Sequence, residues 1–292
     1  MLGTILGDAF GGPLEGAMPS AAARAATRRA EAPARWGYTD DGAMFIAVAE
    51  SLREVGTIEP SRLLDAMARR YEPARGFGRG MKIALRAHEA GVPWREVARQ
   101  AWPEGSRGNG GAVRAGAVAL RRWTSPDELT AAVELATRVT HAHPEAIEAA
   151  LLQAHLVALV LEDPEVSSLL DRLERRLRPS PFLQTVLPKL REGASDIAAT
   201  FGTSPLAAES VPAAVAVFLR HPGSFEGAVV AAAGLGGDVD SICALVGCLA
   251  GAAHGEEALP KPWLDAIARE SPGPGALVDL ADAVLDLTSG PV

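Results

Sequence analysis

The stretch Thr39-Asp40-Asp41-Gly42-Ala43-Met44-Phe45-Ile46-Ala47-Val48-Ala49-Glu50-Ser51-Leu52 joins a hydroxyl and two carboxylates directly to an apolar run. Phe45, Val48, Ala49 and Leu52 recur at three- and four-residue intervals, so the run predicts a helix with one buried face. The arrangement returns about two hundred residues later, where Asp238-Val239-Asp240-Ser241 opens the apolar run from Ile242 to Gly255. Capping explains part of each cluster, because an oxygen at a helix start satisfies free N–H groups and complements the helix dipole. A cap needs one oxygen acceptor, and each cluster supplies three oxygen-bearing side chains. If the fold joins them, four carboxylates and two hydroxyls converge. Their repulsion is costly unless divalent cations such as Mg²⁺ or Mn²⁺ neutralise it.

Helical spacing governs most of the remaining chain, and β-branched alternation is scarce. Leu129, Ala132, Val133 and Ala136 mark one helix; Ile147, Ala150, Leu151 and Ala154 mark another. Further helices are predicted over 168–177, 182–190, 212–220, 227–235, 242–255, 262–270 and 276–287. Ser125-Pro126-Asp127-Glu128, His143-Pro144-Glu145 and Pro212 read as start signals. No repeat period and no low-complexity linker is visible, and the two acidic clusters bracket most of the chain. Residues 1–292 therefore read as a single all-α domain.

Composition narrows the class. Of 292 residues, 48% are hydrophobic and 22% charged, which suits a soluble protein with a sizeable core. The formal net charge of −8 argues against a nucleic-acid backbone as partner, since no basic excess exists to displace counterions. Cys243 and Cys248 point to different faces of one helix, so no disulfide is expected and a reducing compartment is the simpler reading. The N-terminus has no basic region before its apolar stretch, and the weakly charged stretch from 219 to 253 is interrupted too often to span a membrane. A cytoplasmic location is expected; the pattern does not bear on oligomeric state.

Three further segments carry chemistry. Gly108-Asn109-Gly110-Gly111-Ala112 precedes an apolar run containing Arg114; it reads either as a plain glycine turn or as a phosphate cradle at a helix start. In Thr140-His141-Ala142-His143-Pro144 the two histidines do not share a helix face, and no third ligand is near, so zinc is disfavoured. His143 fits a helix start and leaves His141 free to meet a ligand. Gly7-Asp8-Ala9-Phe10-Gly11-Gly12-Pro13-Leu14-Glu15 breaks a helix abruptly; Asp8 is placed to brace loops, and Glu15 to act as a mobile acid over a pocket.

In order, these motifs resemble the ADP-ribosylglycohydrolase family from about Gly3 to Trp263. The resemblance also rests on Arg75-Gly76-Phe77-Gly78, Gly105-Ser106 and Leu259-Pro260…Trp263. It implies a compact orthogonal all-α fold with a dimetal centre of Mg²⁺ or Mn²⁺, held by Thr39, Asp40, Asp41, Asp238, Asp240 and Ser241. It implies that Ser106, Gly108, Asn109, Gly110, Gly111 and His141 hold the diphosphate and ribose of ADP-ribose. Arg114 keeps its family position with no catalytic task assigned. The implied reaction is hydrolysis of the bond between ADP-ribose and an acceptor, foremost a protein arginine, with Glu15 or Asp238 as general base and Asp40 among the catalytic acids. Serine-linked or ester-linked ADP-ribose, or binding without turnover, are the alternatives. The chain departs from the family where Gly42 and Val239 stand for threonines, Ser241 for another, and Gly234 for a frequent Asn. Gly42 is thereby expected to remove a hydroxyl beside the metals.

Overall fold

The computed structural model describes residues 1–287, and their regular elements are helices, apart from an isolated bridge between Gly108 and Leu206. Seventeen α-helices follow one another: α1 (Leu2–Gly11), α2 (Pro19–Glu31), α3 (Asp40–Val55), α4 (Pro60–Arg69), α5 (Arg79–Glu89) and α6 (Trp94–Val97). After these come α7 (Gly110–Leu120), α8 (Pro126–Arg138), α9 (Pro144–Glu162), α10 (Leu169–Arg176), α11 (Pro181–Glu192) and α12 (Ile197–Phe201). The last are α13 (Ala207–Arg220), α14 (Phe225–Ala233), α15 (Val239–His254), α16 (Lys261–Ala266) and α17 (Pro274–Leu285). One hydrophobic cluster runs through them from Leu2 to Val284.

The tightest helix pair is α1 against α15. Gly3, Gly7 and Gly11 recur every fourth residue and so share one face of α1. A Cβ on Gly7 would stand 2.0 Å from the carbonyl oxygen of Cys243, and one on Gly3 2.2 Å from that of Gly247. On Gly11 it would meet the Val239 carbonyl at 2.6 Å. The two backbones therefore touch directly, with no side chains between them. This seam fixes Asp8 on α1 against the first turn of α15.

Helix α9 runs through the core. By length and composition it is apolar enough to cross a membrane, but 72% of its most apolar window is buried among the other helices. Its start follows the sequence: Pro144 occupies the first turn, and the His143 ring accepts the N–H of Glu145 at 3.2 Å. Ser125 likewise caps α8 by accepting from Glu128 N. Pro212, by contrast, is no start signal. Helix α13 already begins at Ala207, where Ala207 N–H donates to the Arg107 carbonyl at 2.9 Å, and buried Pro212 sits inside it. That long-range pairing outweighs the missing proline N–H.

His155, on α9, is wholly buried; Nε2 lies 2.9 Å from Thr130 Oγ1, and Nδ1 has no partner. Burial, and secondarily the charge of Arg176, pushes its pKa down to about 4, with Asp127 opposing. The native state then binds fewer protons than the unfolded chain between pH 6.5 and 4. The neutral ring's contribution is present above pH 6.5 and is lost as pH falls toward 4. Urea unfolding at pH 8 and pH 4.5 is expected to show wild type losing about 2.5 kcal/mol more than His155→Gln. Equal losses would rule this out.

Candidate active site

Asp8 organises the first acidic segment. Although it is 0% exposed, its Oδ2 accepts the N–H groups of Thr39 and Gly42, both at 2.8 Å, and its Oδ1 accepts the Thr39 hydroxyl at 2.7 Å. Thr39 in turn caps α3 by accepting Asp41 N–H at 3.3 Å. Asp8 thus braces the neighbouring segment in the way its small surroundings suggest. Position 42 faces Asp8 and Tyr38: a Cβ there would lie 2.6 Å from Asp8 Oδ2 and 2.9 Å from Tyr38 Cβ. A side chain at this position would therefore meet Asp8 and Tyr38, which already fill that face of the helix start.

The second cluster meets the first through Ser241, whose hydroxyl donates to Asp41 Oδ2 at 2.5 Å. Asp238 stands at the N-cap of α15 yet makes no capping bond. Its Oδ2 instead accepts the Asn109 amide at 2.5 Å, and Asn109 also donates to Ser210 Oγ at 2.9 Å. Ligand oxygens of Glu15, Asp238 and Asp240 all fall within 4.8 Å of one another. Glu15 is the exposed member of this trio, and its turn is pinned: Gly16 N–H donates to the Gly237 carbonyl at 2.8 Å and Gly237 N–H to that of Ala17 at 3.2 Å. Gly236 and Gly237 have φ of 73° and 78°, and a Cβ on Gly237 would strike the Thr203 carbonyl at 2.3 Å. Only glycine lets the chain pass there.

These groups form the floor of a cavity of about 380 Å³. Glu15, Asp40, Asp41, Asp238, Asp240 and Ser241 line it on one side; Ser106, Gly108, Asn109, Gly110 and His141 line the other. Thr39 and Gly111 stand one layer back, Thr39 engaged by Asp8 and Gly111 packed on Thr137 and His141. The segment from Thr203 to Ala207 ties the two sides together. Pro205 O accepts Asn109 N–H at 3.0 Å, and Thr203 O accepts Asp238 N–H at 2.8 Å. Neither Thr203 nor Pro205 carries a motif that sequence reasoning could seize on.

Electrostatically the floor is strained toward neutrality. Burial first, then neighbouring carboxylates, raises Asp240 to about 8 (beside Asp238, Asp8 and Glu15) and Asp40 to about 6 (beside Glu15 and Asp238). Burial lifts Asp8 to about 7 against its hydrogen bonds, and Asp41 and Asp238 move the same way. Asp240 Oδ1 is buried with no hydrogen-bond partner. Orphaned, crowded carboxylate oxygens of this kind are the donor set that hard divalent cations take.

The opposite wall contains a relay that sequence spacing does not reveal. Arg114 is 1% exposed and donates to the Thr140 hydroxyl oxygen; the Thr140 hydroxyl lies 2.8 Å from His141 Nδ1. Arg114 can only donate, so it takes one lone pair of that hydroxyl, which holds His141 Nδ1 as its other partner. Burial and the Arg114 charge push His141 down to about 3, so it stays neutral. Its Nε2 edge faces Gly108 and Gly110.

An all-α chain that gathers carboxylates from both its ends onto one cavity floor, opposite a glycine loop and a neutral histidine, defines a helical hydrolase. The chain belongs to the ADP-ribosylglycohydrolase family, whose pattern it matches over residues 1–291. It is 29% identical over 267 residues to the ADP-ribosylhydrolase ARH3 of Bos taurus, covering 77% of this chain and 73% of that relative. Similarity to the ADP-ribosylarginine hydrolase Tri1 of Pseudomonas putida (strain GB-1) is 27% over 281 residues, covering 92% of this chain and 73% of the relative. A solved structure described as an ADP-ribosylglycohydrolase-related protein complex superposes with a TM-score of 0.76 at 27% identity, covering 99% and 96% of the two chains. The expected all-α family fold is thereby established.

Proposed function

We propose that the chain hydrolyses the glycosidic bond joining ADP-ribose to a protein arginine, using two divalent cations, Mg²⁺ or Mn²⁺, on the acidic floor. The convergence of Asp41, Ser241, Asp238, Asp240 and Glu15 on one cavity carries this reading. Thr39, Asp40, Asp41, Asp238, Asp240 and Ser241 are the residues that would hold the ions, and the orphaned Asp240 oxygen fits that use. Bound there, the cations would neutralise the carboxylates and act as Lewis acids toward ligand oxygens.

The chain's own groups do the rest. Ser106, Gly108, Gly110 and His141 would receive the diphosphate and ribose, since the start of α7 presents N–H groups to an anion. An adjoining hollow of about 650 Å³, lined by Trp102, Pro205 and Leu206, gives the apolar surface an adenine ring needs. Asn109 holds Asp238 in one orientation. Glu15, exposed at the rim on a pinned turn, would take the proton from the attacking water, while the remaining carboxylates favour positive charge developing on the ribose. A guanidinium leaving group suits this acidic rim. The similarity to an ADP-ribosylarginine hydrolase over 92% of the chain supports the same acceptor.

The test is release of ADP-ribose from arginine-, serine- and ester-linked substrates with Mg²⁺, Mn²⁺ or EDTA. Arginine-linked substrate is expected to turn over fastest, and EDTA to abolish turnover; preference for serine or ester linkage would refute the acceptor. Glu15→Gln is expected to lower kcat by about 10²- to 10⁴-fold while the cation-induced rise in Tm persists. Loss of that rise would reassign Glu15 from proton transfer to holding an ion.

A further inference from the structure

At the far end of α7 from the acidic floor, the chain leaves the helix through Leu120-Arg121-Arg122-Trp123 and walls a second cavity of about 540 Å³. The start of α8, the last turns of α9, Arg176 of α10 and Leu285 of α17 complete it. Helix α7 spans eleven residues, so the two ends lie about 16 Å apart along its axis.

Arg121 is the unexplained group. It is 9% exposed, its Nε is buried without a hydrogen-bond partner, and no side-chain hydrogen bond or ion pair among the described residues includes it. Its guanidinium lies 4.0 Å from the centroid of the Trp123 ring, which is itself fixed by donation from Nε1 to the Val118 carbonyl at 2.9 Å. Stacking orients a guanidinium but satisfies none of its N–H groups. The carboxylate that acts on it, Glu128, is at the surface and accepts the Thr124 N–H at 3.1 Å. Arg176 and Glu162 neutralise each other through contacts of 2.8 and 2.9 Å. Arg121, countered in part by Glu128, and exposed Arg122 therefore leave a net positive charge on a cavity whose apolar lining includes Leu120, Leu129, Ala158, Leu161 and Leu285.

A buried donor without an acceptor is costly, and the planar guanidinium fork matches phosphate geometry. The cavity also has the volume of an ordinary small-molecule site. We infer that it is a second ligand site, separate from the active site, which takes a phosphate monoester carried on a small apolar body. The phosphate would meet Arg121 and Arg122, and the body would lie against the leucines and Trp123.

Phenyl phosphate is the probe, read on the full chain through the NMR signal of the Trp123 indole N–H, identified by its loss in Trp123→Phe. A saturable shift is expected below about 10 mM, weakened about tenfold or more in Arg121→Gln. No saturable shift, or equal affinity in Arg121→Gln, would overturn the site. Equal binding of benzoate would overturn the choice of phosphate, and equal binding of inorganic phosphate would overturn the apolar body. Should Arg121→Gln fail to fold by circular dichroism, Arg122→Gln at its exposed position decides: weakened binding supports the site and unchanged binding overturns it.

Discussion

Gly7→Ala is expected to lower Tm by about 5 °C, from a loss of about 3 kcal/mol, and to remove most activity with it. The added Cβ would stand 2.0 Å from the carbonyl oxygen and 2.7 Å from the carbonyl carbon of Cys243, then 3.1 Å from Ala244 N. All three are backbone atoms of a buried helix, so no side chain can swing aside. Helix α1 must retreat from α15. Asp8 then draws Thr39 and Gly42 away from Asp240 and Ser241, which explains why activity falls along with stability. Gly275→Ala is the contrast: a Cβ there meets nothing within 4 Å, and on α17 alanine is expected to be neutral or to stabilise by up to about 1 kcal/mol. Thermal unfolding of the pair checks both, and a Gly7→Ala midpoint within about 2 °C of wild type would refute the rigid seam.

Asp240→Asn is expected to separate stability from activity. Burial and the charges of Asp238, Asp8 and Glu15 all oppose ionisation of this group. Removing its charge relieves that repulsion, so the cation-free protein is expected to be unchanged or more stable by about 1 kcal/mol. Turnover is expected to fall at least about 10²- to 10³-fold, the scale of removing one group that stabilises transition-state charge. Wild type should gain about 2.7 kcal/mol at a cation concentration of a hundred times Kd, and the variant should lose most of that gain. Retained activity, or an equal cation effect on Tm, would count against ions held by this cluster.

Legibility in the sequence followed how local each signal is. Thr39 and the two aspartates after it, and Asp238 with Asp240 and Ser241, stand out because each offers more oxygen than the helix start beside it can use. The glycine loop and His141 stand out by adjacency. Signals that exist only across the fold were silent. Gly3, Gly7 and Gly11 show helical spacing, but nothing in their own segment names α15 as the surface they meet. Arg114, Thr140 and His141 become a relay only once α7 and the end of α8 lie side by side. Pro212 misled for the same reason: a proline usually marks a helix start, yet pairing between residues 107–109 and 205–207 begins α13 earlier. Helices α2 and α5 escaped notice because their buried faces are narrow; α2 buries only Ala22 and Ala26, and α5 only Ala84 and Leu85.

The seam between α1 and α15 has a consequence for how the protein is made. Residues 3–11 leave the ribosome about 240 residues before the last of their partners at Gly251. At bacterial to eukaryotic elongation rates that interval is on the order of ten to fifty seconds. Throughout it the glycine face of α1 has no backbone to rest on, and the acidic floor lacks half its oxygens. A nascent chain stalled in this window therefore lacks a complete floor, and activity is expected only once α15 has been synthesised.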